Sequence, residues 1–152
     1  MGTTGYDKDV ILWAQEQAAL LRSGQFSQLD LEHLADEIED VGKSEKRELA
    51  SRMAVLLAHL LKWRHQPERR QEGGPSMRSW TDTIEHQRER IDLAIKETPS
   101  LKTVLRDPDW QRATWIDATA LAAHETGFAR AHFGKTCPWP TEQALAPDWM
   151  PD

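Results

Sequence analysis

From Leu49 to Trp63 apolar residues recur so densely at helical spacing that the segment constrains the whole chain. Leu49, Met53, Leu56, Leu57, Leu60, Leu61 and Trp63 cover well over half the circumference of one helix. A helix that apolar must be enclosed by others, so the remaining segments have to supply amphipathic helices. No stretch reads as a strand, and no internal repeat is visible. The expected fold is therefore all-α: a compact single-domain bundle over residues 1–152, of about five helices with an irregular C-terminal strap.

The expected elements follow from caps and breakers. The first helix runs from Asp7, its N-cap, to Arg22, with Ser23-Gly24 as the stop and Val10, Trp13, Ala14, Leu20 and Leu21 as the apolar stripe. Gln17 falls inside that stripe and so needs a buried hydrogen-bond partner. Asp30 caps a second helix with Leu31, Leu34, Ile38 and Val41 inward and Gly42 as its end. Ser44 starts the central third helix, which Gln66-Pro67 stops near His65, with His59 and Gln66 on the edge of its apolar face.

Residues 67 to 78 read as a mobile loop. Ser79 caps a fourth helix to Glu97, with Trp80, Ile84, Ile91, Ala94 and Ile95 inward and Gln87 in mid-stripe. After a short segment from Leu101 to Arg106, Asp107-Pro108 opens the last long helix and Gly127 closes it. Apolar residues all round that helix, from Trp110 to Ala123, predict burial on several sides. The proline-rich tail is pinned by Phe133, Trp139 and Trp149.

Composition narrows the class. With 39% hydrophobic and 29% charged residues the chain has the makings of a folded domain. The single Cys137 excludes an internal disulfide, and with neither a secretory signal nor a membrane-length apolar run, a cytoplasmic location and no membrane partner are expected. Net charge is −6, which disfavours a broad nucleic-acid surface. Only residues 62–78 stand out as basic: Lys62, Arg64, Arg69, Arg70 and Arg78 against Glu68 and Glu72. With Trp63 and Trp80 beside them, these guanidiniums are the candidate anion or nucleic-acid contact; the competing reading is a solvated loop with both indoles in the core.

Two catalytic classes lack their signatures. The one carboxylate-x-x-His, Asp30 to His33, sits at a helix start, and no H-E-x-x-H occurs, so no metal site and no cofactor are expected. Cys137 is followed by proline in an aromatic-rich strap, which suits packing better than nucleophilic attack. A third possibility is a polar cluster of Glu37, His59, Gln87, Arg88, Asp117, His124 and Glu125. If their helices converge, it is either a site with perturbed ionisation or a buried network that sets register.

Taken together and in order, YDKDVILWAQEQAALLRSG, LDLEHLADEIEDVGKSEKREL, LLAHLLKWRHQP, SWTDTIEHQRERI, PSLK, ETG and CPW resemble the bacterial helical family known as domain of unknown function 29. The resemblance spans about residues 6 to 143. It implies an all-helical fold and no activity, since none is established for that family. The chain departs from the family pattern at His65, where an aromatic is usual, at Gly134, where proline is frequent, and by extra residues around Gly73-Gly74-Pro75.

The resulting expectation is a non-enzymatic interaction or accessory protein of the bacterial cytoplasm with a protein partner. The alternatives are a nucleic-acid-associated protein using the basic loop, and an enzyme or ligand-binding protein using the polar cluster.

Overall fold

The computed structural model describes residues 5–71, 74 and 76–152. It contains six α-helices and, among the described residues, no strand: α1 (Val10–Arg22), α2 (Leu31–His65), α3 (Met77–Glu97), α4 (Leu101–Leu105), α5 (Pro108–Thr126) and α6 (Thr141–Leu145). The chain divides into two units, Met1–Glu45 and Lys46–Asp152, and the division falls within α2.

In the N-terminal unit Asp9, not Asp7, caps α1. Its carboxylate accepts the Leu12 N–H at 3.1 Å, while residues 6 to 8 form a turn. Ser23 and Gly24 end the helix as predicted, Gly24 with a φ of 76° that only glycine adopts without strain. Asp30 also behaves as predicted: its backbone carbonyl accepts the Leu34 N–H and its side chain reaches the His33 N–H.

The expected break at Gly42 and Ser44 does not exist, because α2 runs through both. One glycine in a helix interior costs only about 1 kcal/mol against alanine. Here it is surrounded by good helix formers, with ion pairs one turn apart at Asp40–Lys43 and Glu48–Arg52.

Three contacts set the register of this unit. The Asp30 N–H donates to Gln17 Oε1 at 2.8 Å, Trp13 Nε1 donates to the Asp30 carboxylate at 3.0 Å, and the Tyr6 hydroxyl donates to Glu37. As the number falls from 17 to 6 its partner's rises from 30 to 37, so α1 and the start of α2 form an antiparallel hairpin. Gln17 is buried and bonded as its place in the stripe predicts. The rest of that stripe is not buried: besides Trp13, only Leu20 is even half-buried. On α2, Leu31, Ile38 and Val41 are likewise exposed, against expectation.

The second unit holds the apolar core. The later turns of α2 bury Leu49, Met53, Leu56, Leu57, Leu60 and Leu61 against Ile84 and Ile91 of α3, Leu101 and Leu105 of α4, and Trp115, Ala118 and Ala122 of α5. This is the central helix that the apolar density predicts, and it ends at His65, before Gln66-Pro67. Where the sequence predicts a loop to residue 78, Pro67–Arg69 makes a 3-10 turn and α3 begins at Met77 with Ser76, rather than Ser79, as its cap. Glu72, Gly73 and Pro75 lie outside the described residues.

α5 has the predicted caps: Asp107 accepts the Asp109 N–H, Pro108 takes the first position, and Gly127 closes the helix at a φ of 82°. It is not enclosed, however. Thr114, Trp115, Ala118, Thr119 and Ala122 are buried, while Ile116, Asp117, Ala120 and His124 face solvent. Alanine counts as apolar in a periodicity but loses little in water. The buried face is instead marked by threonines whose hydroxyls bond carbonyls within the helix, Thr114 to Trp110 and Thr119 to Trp115.

The tail is less irregular than predicted, with a 3-10 turn at Arg130–Phe133 and the short α6. Arg88 of α3 holds it: Nε donates to the Ala144 carbonyl at 3.0 Å and Nη2 to that of Trp149 at 2.7 Å. The sequence reading had put Arg88 only at the border of its stripe; it is buried.

Candidate functional site

The seven residues of the polar cluster do not converge. Among the described residues, no hydrogen bond or ion pair joins any two of them. Glu37 belongs to the N-terminal hairpin and accepts from Tyr6. His59 donates Nδ1–H to the Val55 carbonyl of its own helix, and burial lowers its pKa. Arg88 binds the tail carbonyls. Asp117 and His124 face solvent. Glu125 pairs with Lys62, whose pKa is lowered by burial and, secondarily, by Arg69. Gln87 is half-buried, and its Oε1 is buried without a hydrogen-bond partner; the partner that its mid-stripe position predicts is missing.

The basic set is largely occupied within the protein. Arg69 lies over the Trp80 ring at 6.0 Å and donates to the Ser76 hydroxyl, and Arg70 lies over Trp63 at 5.3 Å and reaches the Pro151 carbonyl. Arg78 sits 3.9 Å from Asp82, and Arg64 is exposed. The indoles that would stack on bases instead stack on the arginines.

In the second unit a groove of about 500 Å³ is lined by Met53, Leu57, Trp110, Trp115, Cys137 and Trp139. Burial pushes the Cys137 thiol up, and it donates to the Trp139 carbonyl, so the sulfur is held protonated, as a packing group and not a nucleophile. No group of three or more His, Cys, Asp or Glu side chains able to hold a metal occurs among the described residues. The Asp30-x-x-His33 pair is a 2.7 Å hydrogen bond within the hairpin.

That hairpin carries the feature the sequence reading assigned to the core. Of twelve exposed large hydrophobics, eight lie between residues 10 and 41, among them Ile11 at 71%, Leu31 at 69%, Ile38 at 71% and Val41 at 65% exposed. They have a pattern. Ile11, Ala14, Ala18 and Leu21 on α1, and Leu31, Leu34, Ile38 and Val41 on α2, repeat at three- and four-residue steps, the spacing of a helix-packing seam.

Each seam lies about 90–100° from the face its helix turns to the other, counted at 100° per residue and in the same rotational sense. In an antiparallel pair the same sense places both seams on one side. The hairpin therefore presents a single apolar face.

Polar contacts on the opposing faces hold the two helices in this register. Tyr6 stacks on His33 with ring centroids 4.2 Å apart, and its pKa is pushed up to about 12, mainly by its hydrogen bond to the Glu37 carboxylate. The hydrogen bond between Asp30 and His33 lowers the carboxyl and raises the imidazole. Tyr6 was not singled out from the sequence. The seam itself was legible there as a periodicity, but not as an exposed one, since spacing reports a face and not what covers it.

No curated protein and no solved structure matches the chain. Residues 5–150 match the family model described as Domain of unknown function DUF29, over nearly the whole length and over the same stretches that carry the resemblance in sequence. With an all-helical fold under that match, the chain belongs to the DUF29 family.

Proposed function

We propose that this protein is a non-enzymatic interaction protein of the bacterial cytoplasm, which docks a protein partner on the apolar face of its N-terminal hairpin. The observation that carries this reading is the row of exposed Ile11, Leu31, Ile38 and Val41 on one side of two helices. Contiguous apolar surface of this kind marks interaction sites. Covering each of these side chains contributes roughly 1–2 kcal/mol. The scatter of the polar cluster supports a non-catalytic role, and the unpaired Cys137 suits a reducing compartment. No helix among the described residues is long and apolar enough to cross a membrane.

The test is site-specific photo-crosslinking in the native host, with a benzophenone amino acid at Ile38 and, as control, at Ala120 on the exposed side of α5. The expected result is a protein adduct at position 38, absent at 120 and lost when Val41→Asp is added. Equal labelling at both positions, or none at 38, would refute the assignment.

A further inference from the structure

We infer that the apolar face receives one amphipathic helix of a partner protein, a helix whose apolar stripe is flanked by lysine and arginine. This rests on the interaction reading above and adds the chemistry of the occupant.

Two antiparallel ridges on the same side of a hairpin leave a groove between them. The α2 ridge from Leu31 to Val41 is about 15 Å long, which accommodates some three turns of a third helix. Ala14 and Ala18 in the α1 ridge are small, so that helix can approach closely, with Ile11 and Leu21 at the ends of the ridge.

Charge decides what kind of helix fits. Residues 1–45 hold ten carboxylates against only Lys8, Arg22 and Lys43. On α2 the seam is bordered by Ala35 and Gly42 and then by Glu32, Asp36 and Glu39, all exposed and none ion-paired among the described residues. A second copy of the hairpin would set one acidic rim against another, whereas a basic helix turns the same rim into attraction. Small border residues leave the flanking lysines or arginines a clear path to those carboxylates.

The experiment uses the whole chain and two fluorescent synthetic peptides of about 20 residues, helical, with the same leucine stripe and either lysine or glutamate beside it. Anisotropy titrations at low and moderate salt are expected to show binding of the lysine peptide, weakened by salt, with the glutamate peptide at least about ten-fold weaker. Ile38→Asp is the decisive variant. It makes the hairpin more acidic, so a merely ionic contact would strengthen, but docking in the groove would lose about ten-fold or more. Because Ile38 is exposed, its helicity should match wild type, and Leu31→Asp gives a second variant at the other end of the ridge.

Equal binding of both peptides, lysine-peptide binding untouched by Ile38→Asp, or no binding of either peptide overturns the inference. Sedimentation then separates the two readings. A dimer dissociated by Ile38→Asp, with neither peptide bound, makes the face an interface between copies and leaves it an interaction surface. A monomer with neither peptide bound and no crosslink at position 38 overturns both.

Discussion

Arg88 offers the sharpest test of how the second unit is held together. Its guanidinium is only 8% exposed and spans two carbonyls of the tail, those of Ala144 and Trp149. Arg88→Met keeps much of the apolar stem but removes both donors. A hydrogen bond from a charged group contributes about 1.5–3 kcal/mol, and a buried carbonyl left unpaired costs about 1–3 kcal/mol. Against these stands relief from desolvating the charge, the same burial that lowers the arginine's pKa. The net loss should be about 2–4 kcal/mol, a large part of the roughly 5–15 kcal/mol by which such a domain is stable. At about 2–4 °C per kcal/mol for a chain of this length, the melting temperature should fall by about 5–15 °C.

Arg88→Lys should recover less than half of this, since an ammonium cannot span both carbonyls with one planar fork. The assay is thermal unfolding followed by helical circular dichroism, with limited proteolysis in parallel. The segment around α6 should be cut early in the methionine variant. A midpoint within a degree or so of wild type, with the tail still protected, would mean that the fork does not hold the tail.

The two mid-stripe glutamines should behave oppositely. Gln17→Leu leaves the Asp30 N–H without its acceptor and should cost about 1–2 kcal/mol, whereas Gln87→Leu removes an unpartnered oxygen and should be neutral or slightly stabilising; equal losses in a denaturant titration would contradict the pairing seen here. Replacing Arg69 and Arg70 together by alanine should lower stability by about 1–3 kcal/mol, where an exposed loop would predict no change, because each stacks on an indole and bonds to the protein. The Asp30–His33 bond should make the hairpin sensitive to pH on both sides. The raised histidine contributes stability fully present below the ordinary histidine range and lost as pH rises through its higher folded value. The lowered aspartate contributes stability present above the ordinary carboxylate range and lost as pH falls through its folded value, so the pair helps most in the mildly acidic window between. Proton NMR titration of His33 should show its midpoint fall in Asp30→Asn, and an unchanged midpoint would count against the bond.

Sequence alone determined the class of fold, the central helix from Leu49 to Trp63, and most of the ends at Ser23-Gly24, Gln66-Pro67, Asp107-Pro108 and Gly127. These are local matters: periodicity, proline's missing donor and glycine's left-handed conformation act within a turn or two of the residue concerned. Gly42 was misread for the same reason, since a local breaker was weighed without the long run of helix formers on both sides that carries α2 through it. What only the tertiary structure decided is which face meets which neighbour. The spacing of Leu31, Leu34, Ile38 and Val41 is the same whether the face is covered or bare, and only the packing of α1 through Trp13, Gln17 and Tyr6 shows that it is bare. Around α5 the alanines are apolar on every side, yet solvent reaches half of them. The polar cluster dispersed because its members were chosen for lying on apolar helices, and whether such residues meet depends on how the helices are rotated about their axes, a property of packing between segments distant in the chain.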